Sequence, residues 1–157
     1  MSTTNDCYRL IKKVDIEAIL PLMDRLPFFQ ANQGSQEKCA CKACIDTQFP
    51  PELKDFIKGL ELGGRQARAV LRMLPRKQGI PPHQDKWMGE GQDWKRFQLP
   101  IVTHPSILMR WPDDQVELHL EAGTLYEVNF NKTHEVINDQ DDVERIHLQI
   151  DQIDSTI

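Results

Sequence analysis

The sequence predicts a mainly β protein, a small barrel or jelly roll preceded by a helical N-terminal part. Three observations carry this. Short runs suited to extended backbone recur at close spacing after Gly64. A turn signal separates each run from the next: Gly79 with Pro81-Pro82, Gly89 to Gly91, Pro105, Pro112-Asp113-Asp114, Gly123, and Asn138 to Asp142. The sequence contains no internal repeat and no low-complexity tract.

Taken in order, residues 1–64 read as helical and connective, and 65–151 as the jelly-roll core of a single domain over 1–157. Ile16, Ile19, Leu20 and Met23 recur at helical spacing, with Asp15 placed to cap. Pro21 interrupts the run, so that helix is short or kinked. Residues 30–48 are polar and read as an irregular loop. Pro50-Pro51-Glu52 opens a second helix through Leu53, Phe56, Ile57 and Leu60, and Gly63-Gly64 stops it. Strands are expected over 66–74, 96–103, 107–111, 116–120, 124–130, 134–138 and 144–150. Arg65, Arg68, Arg72 and Arg76 also fall at helical intervals, as on a basic helix for nucleic acid. A strand fits better, because turns and strands follow at once. Ala67, Ala69, Leu71 and Met73 then line one face, and Arg68, Val70, Arg72 and Leu74 the other.

The composition narrows the function classes. The chain has 157 residues, 39% of them hydrophobic, enough for one packed core. A net charge of -5 argues against a nucleic-acid binder, which would carry a basic excess. No apolar run approaches the roughly 20 residues that cross a bilayer. The N-terminus lacks the basic and apolar regions of a signal peptide. The expected compartment is the cytoplasm, where cysteines stay reduced.

Four polar residues stand out. His83 and Asp85 are two apart, so in extended backbone they share a side. Pro81-Pro82 keeps that segment out of a helix. His134 follows an alternating stretch, Gly123 to Phe130, and a turn at Asn131-Lys132-Thr133. Arg145 shares the polar face of its strand with His147 and Gln149. Taken singly, each is an ordinary polar residue beside a turn or on an edge. Together, two imidazoles and a carboxylate can cap one face of an iron(II) ion and leave three positions open. The arginine offers a fixed fork to a carboxylate-bearing co-substrate, and a buried arginine needs an anion.

The order and spacing of these residues resemble the 2-oxoglutarate- and iron(II)-dependent dioxygenases, and within them the aspartyl/asparaginyl β-hydroxylase family. The matching text is Ile80-Pro81-Pro82-His83-Gln84-Asp85, Arg96 to Ile101, Gly123 to Phe130, His134 to Asn138, Arg145 to Leu148, and Asp151. The resemblance implies a double-stranded β-helix, the cupin-like jelly roll. It implies His83, Asp85 and His134 as iron ligands and Arg145 as the partner of the distal carboxylate of 2-oxoglutarate. Arg96 matches an arginine that helps hold the co-substrate. Gln98, a further candidate contact for the co-substrate, stands where many relatives have histidine; it can still hydrogen-bond but cannot become cationic. His147 and Asn138 are candidates to hydrogen-bond behind the ligands. The implied reaction consumes 2-oxoglutarate and O2, releases succinate and carbon dioxide, and hydroxylates an unactivated C–H. The expected substrate is an amino acid, a related small polar molecule, or an Asp or Asn side chain in a peptide. With no peptide-binding repeat in sight, a small molecule is favoured. Arg68, Arg72 and Arg110 are candidate contacts for a substrate carboxylate. The alternative is a non-catalytic cupin that binds a metal or small ligand.

Two features remain. Cys39, Cys41 and Cys44 form a tight cluster that could hold structural zinc, with Cys7 or a histidine as fourth ligand. The same residues also read as a reduced loop. Trp87 and Trp94 flank the turn Met88-Gly89-Glu90-Gly91, either as part of a loop over the substrate or as packing anchors. Trp111 reads as core or edge packing.

Overall fold

The computed structural model describes residues 6–24, 30–31, 42–85, 93–138 and 143–154. Among them are eleven strands and two α-helices: β1 (Tyr8–Lys13), α1 (Leu20–Met23), β2 (Gln30–Ala31), β3 (Lys42–Ile45), α2 (Pro51–Gly59), β4 (Arg65–Leu74), β5 (Ile80–His83), β6 (Asp93–Val102), β7 (Leu108–Trp111), β8 (Val116–Leu118), β9 (Thr124–Val128), β10 (His134–Ile137) and β11 (Arg145–Asp154). They form two antiparallel sheets. The larger runs β1-β9-β6-β11-β4-β3-β2 and the smaller β5-β10-β7-β8. This is the mainly β, cupin-like double-stranded β-helix that the sequence predicts.

The larger sheet separates two layers of core. Ala69, Leu71, Phe97, Leu99, Leu125, Leu148 and Ile150 pack against Ile19, Met23, Phe49, Leu53 and Leu60 from the helical part. The opposite face meets the smaller sheet, with Leu74, Met109, Trp111, Tyr126, Val128 and Val136 in one cluster. Trp111 is fully buried there, and its indole N–H donates to the carbonyl of Asn129 at 3.1 Å. Alternation along β4, β6 and β11 assigns apolar residues to the helix side and polar ones to the interior between the sheets. The arginine-rich segment is therefore strand β4, not a basic helix.

Several boundaries differ from expectation, each for a physical reason. Residues 8–13 form a strand paired with β9, not helix or connection. A register shift between Leu10 and Lys12 puts a bulge in that pairing, which breaks the period-2 pattern a reader would need. Part of the 30–48 segment is strand β3, which pairs with β4. β5 holds two prolines, and it lies at the edge of the smaller sheet, where a missing donor is tolerated. Gly79 lets the chain approach β10: a Cβ there would stand 2.7 Å from the carbonyl oxygen of Val136. Asp15 does not cap α1, whose N-cap is Ile19; its carboxylate instead accepts the N–H of Glu17.

The zinc expectation finds no support. Cys39 and Cys41 lie outside the described residues. Cys44 is fully buried in the helix-side cluster, and Cys7 is buried in the other cluster, across the larger sheet. Burial raises the Cys44 thiol pKa, and burial is also the first cause pushing Cys7 up to about 11, which disfavours the thiolate a metal needs. Cys44→Ser is expected to cost about 1–3 kcal/mol by burying a hydroxyl, seen in chemical denaturation, with zinc content unchanged. Among the described residues, no helix is long and apolar enough to cross a membrane.

Candidate metal centre

His83 and His134 face each other as a cross-strand pair of β5 and β10. Their ring centroids are 4.3 Å apart. Asp85 lies just beyond the end of β5, where its N–H donates to the carbonyl of Phe130 at 2.8 Å. That bond keeps the His-x-Asp segment extended, so Asp85 turns to the same side as His83. His83 Nε2 is 3.6 Å from Asp85 Oδ1, and His134 Nε2 is 3.9 Å from Asp85 Oδ2. One ligand atom from each residue lies within 4.8 Å of the other two, the only such group of three or more among the described residues.

Both imidazoles are oriented in the same way. His83 Nδ1 donates to the carbonyl of Pro81 at 2.7 Å, and His134 Nδ1 to that of Lys132 at 2.8 Å. Each proton is thereby placed on Nδ1, and the Nε2 lone pair is left for a metal. Burial is the main cause that pushes the His134 pKa down to about 4, so this ring is neutral. The Phe130 ring packs edge-on to His134, with centroids 4.4 Å apart. Two imidazoles and one carboxylate converging from one side fit a divalent iron with open positions.

The interior of the larger sheet carries a polar network that leads away from this corner. Arg145, His147, Gln149 and Asp151 of β11 are all buried. Arg145 Nε donates to His147 Nε2 at 3.0 Å, and His147 Nδ1 to Gln98 Oε1 at 2.9 Å. Burial, then Arg145, keeps His147 neutral. Arg72 Nε donates to Gln149 Oε1 at 3.0 Å, and Gln149 Nε2 to Asp151 Oδ2 at 3.1 Å. Arg68 Nε donates to the same oxygen of Asp151 at 2.7 Å. Arg96 spans the two carboxylates, with Nε 2.7 Å from Asp151 Oδ1 and Nη1 2.6 Å from Asp85 Oδ2.

Two arginines in this interior have no carboxylate partner among the described residues. Burial first, then the nearby charge of Arg72, pushes the Arg145 pKa down to about 10. Burial, Arg96 and Arg68 lower that of Arg72. Two like charges brought together in the interior favour an anionic partner. Of the other candidate substrate contacts, Arg68 is committed to Asp151, and Arg110 pairs with Glu117 and Glu135 on the smaller sheet.

The structure thus gathers His83, Asp85 and His134, and places Arg96 beside them. It sets Gln98 and His147 next to Arg145. Asn138 stands apart: it is buried near the end of β4, where its amide reaches the carbonyl of Pro75 at 3.4 Å. Trp94 packs its ring 4.8 Å from the Arg96 guanidinium carbon. Trp87 and the 88–91 turn lie outside the described residues. Asp151 and Phe130 fall in the segments that carry the family resemblance, but the sequence assigns neither of them a role. Carrying the Arg145-His147-Gln149 alternation one step further would have reached Asp151.

The fold is of the double-stranded β-helix class, and His83, Asp85 and His134 are grouped as a divalent metal would require. The family model for aspartyl/asparaginyl beta-hydroxylase matches residues 27–154, and the chain belongs to that family of 2-oxoglutarate- and iron(II)-dependent hydroxylases. No curated protein matches the sequence significantly. Among solved structures, a Pseudomonas putida prolyl-4-hydroxylase superimposes with a TM-score of 0.68 at 13% identity, covering 98% of this chain and 95% of that one. A Trichoplax adhaerens prolyl hydroxylase in complex with a hypoxia inducible factor peptide fragment gives 0.65 at 12%, covering 96% and 84%. HygX from Streptomyces hygroscopicus, with nickel, 2-oxoglutarate and hygromycin B bound, gives 0.65 at 7%, covering 97% and 84%. At these identities the three likenesses bear on the fold.

Proposed function

We propose that the protein hydroxylates an unactivated C–H of an acidic amino acid or related small molecule, or of an Asp or Asn side chain, with His83, Asp85 and His134 holding the iron. The observation that carries this is the convergence of those ligand atoms within 4.8 Å, with both Nδ1 atoms tied to backbone carbonyls. Bound iron(II), with 2-oxoglutarate and O2, supplies the oxidising step that yields succinate, carbon dioxide and the hydroxylated product.

The chain's own residues bind and orient. Arg145 takes the distal carboxylate of 2-oxoglutarate, and His147 steadies its guanidinium. Arg96 uses three of its five N–H groups on Asp151 and Asp85, which leaves two for a second carboxylate. Gln98, as an amide, holds His147 without adding charge. Charge balance favours an anionic substrate. Among the described residues, Arg72, Arg96 and Arg145 line the interior against Asp85 and Asp151, while Arg68 is exposed and already paired with Asp151. Iron adds two positive charges and 2-oxoglutarate two negative ones, so the excess is left for the substrate. Arg72 is its proposed anchor.

The deciding experiment incubates the protein with iron(II), ascorbate and 2-oxoglutarate and measures succinate across acidic and neutral amino acids and peptides. Succinate that rises with an acidic candidate, and only with iron, is expected. A non-catalytic cupin would bind 2-oxoglutarate without turnover. Arg72→Met is expected to raise the KM for the acidic substrate about tenfold or more, as loss of a charge-assisted hydrogen bond implies. An equal effect on neutral substrates would remove Arg72 from that role.

A further inference from the structure

Resting on the reading of His83, Asp85 and His134 as a metal centre, the geometry points to Asp151 as a positioning residue for Asp85, acting through Arg96. Asp151 is fully buried on β11, directly across from Arg96 on β6. Its carboxylate takes the Arg96 fork side-on, Nε to Oδ1 at 2.7 Å and Nη2 to Oδ2 at 3.1 Å. A planar guanidinium held at two corners has its third direction fixed. Here that third corner, Nη1, meets Asp85 Oδ2 at 2.6 Å.

The surroundings keep this chain of contacts rigid. Arg68 Nε and Gln149 Nε2 also donate to Asp151 Oδ2, at 2.7 and 3.1 Å. Burial alone would raise the Asp151 pKa, but the bonds from Arg96 and Arg68 outweigh it, so Asp151 stays ionised. The Trp94 and Phe130 rings lie 4.8 and 4.7 Å from the Arg96 guanidinium carbon. Phe130 also accepts the N–H of Asp85 through its carbonyl. Asp85 is therefore fixed at its backbone and at one carboxylate oxygen. The other oxygen, Oδ1, faces His83 and is left for the metal. A carboxylate that offers one oxygen leaves three metal positions open for co-substrate and O2.

The test titrates cobalt(II), without co-substrate, into the wild type and into Asp151→Asn, Arg96→Gln, His134→Ala, Asp85→Ala and Asp85→Ala/Asp151→Asn, by calorimetry. Asp151→Asn and Arg96→Gln are expected to weaken cobalt by about 10- to 100-fold, the range found when the partner of a metal ligand is removed. In the Asp85→Ala background, titrated at higher metal concentration, Asp151→Asn is expected to add no further loss. A merely structural Asp151 would lower the melting temperature and leave cobalt affinity alone. Wild-type affinity in both single variants, or an undiminished Asp151→Asn effect without Asp85, would overturn the inference. Should Asp151→Asn fail to fold, Arg96→Gln and its cycle with Asp85→Ala decide. If His134→Ala binds cobalt as the wild type does, the metal centre itself is wrong. If His134→Ala and Asp85→Ala lose cobalt while Asp151→Asn and Arg96→Gln bind it as the wild type does, the centre stands and the role of Asp151 falls.

Discussion

His134→Ala is expected to abolish iron-dependent succinate formation and to weaken metal binding by at least about 100-fold, more than the loss of an outer partner costs. The size follows from burial. His134 is 1% exposed, and its ring packs against both Phe130 and His83. Water cannot easily take its place, since the void is bounded by an aromatic face. His83 is only half-buried at the sheet edge, so alanine there opens the position to solvent and is expected to cost less metal affinity. Metal titration of the two variants side by side checks this order. Equal losses would show that burial does not control ligand strength here.

The second large effect is expected at Arg145, with opposite signs for binding and for stability. Arg145→Met would leave the distal carboxylate of 2-oxoglutarate without its proposed counter-ion in a buried place. Breaking such a pair costs about 3–5 kcal/mol, or roughly 140- to 4000-fold in Kd. The ligand-free protein should not suffer in proportion. Arg145 is buried without a carboxylate among the described residues, and its pKa sits near 10, below its ordinary value. A base with a depressed folded-state pKa opposes folding at every pH below that value, so at neutral pH its charge is a burden. Replacing it by an apolar chain of similar reach is expected to hold or raise the melting temperature. Isothermal titration with 2-oxoglutarate and thermal melts of the same preparations test both signs. A large fall in melting temperature would show that the bond to His147 outweighs the charge.

The parts of this site that were legible in the sequence are those governed by local geometry. His83 and Asp85 share a side because extended backbone repeats every two residues. Arg145, His147 and Gln149 share a face for the same reason, and the sequence alone selects strand for the Arg68–Arg72 segment. Arg96 was visible as a site residue, but its partner was not. That depends on the register of β6 against β11, which sets Arg96 opposite Asp151 across more than fifty residues of chain. The choice among Arg68, Arg72 and Arg110 was likewise closed to one-dimensional reading, because it rests on which carboxylates lie nearby. β1 was missed because a bulge hides its alternation, and Cys44 looked like a ligand because spacing carries no information about burial.

Pro81 and Pro82 have a consequence outside catalysis. They sit on β5, the rim of the smaller sheet, and that strand carries a proposed metal ligand at its end. An exposed rim with a full row of N–H donors invites a strand from another molecule. Of two neighbouring prolines in a strand of four residues, one lacks a donor on the open rim and the other on the side facing β10, so the rim offers a foreign strand one partner fewer. The rim is thereby less suited to strand addition on the flank where a stacked copy would lie beside the proposed metal-binding histidine.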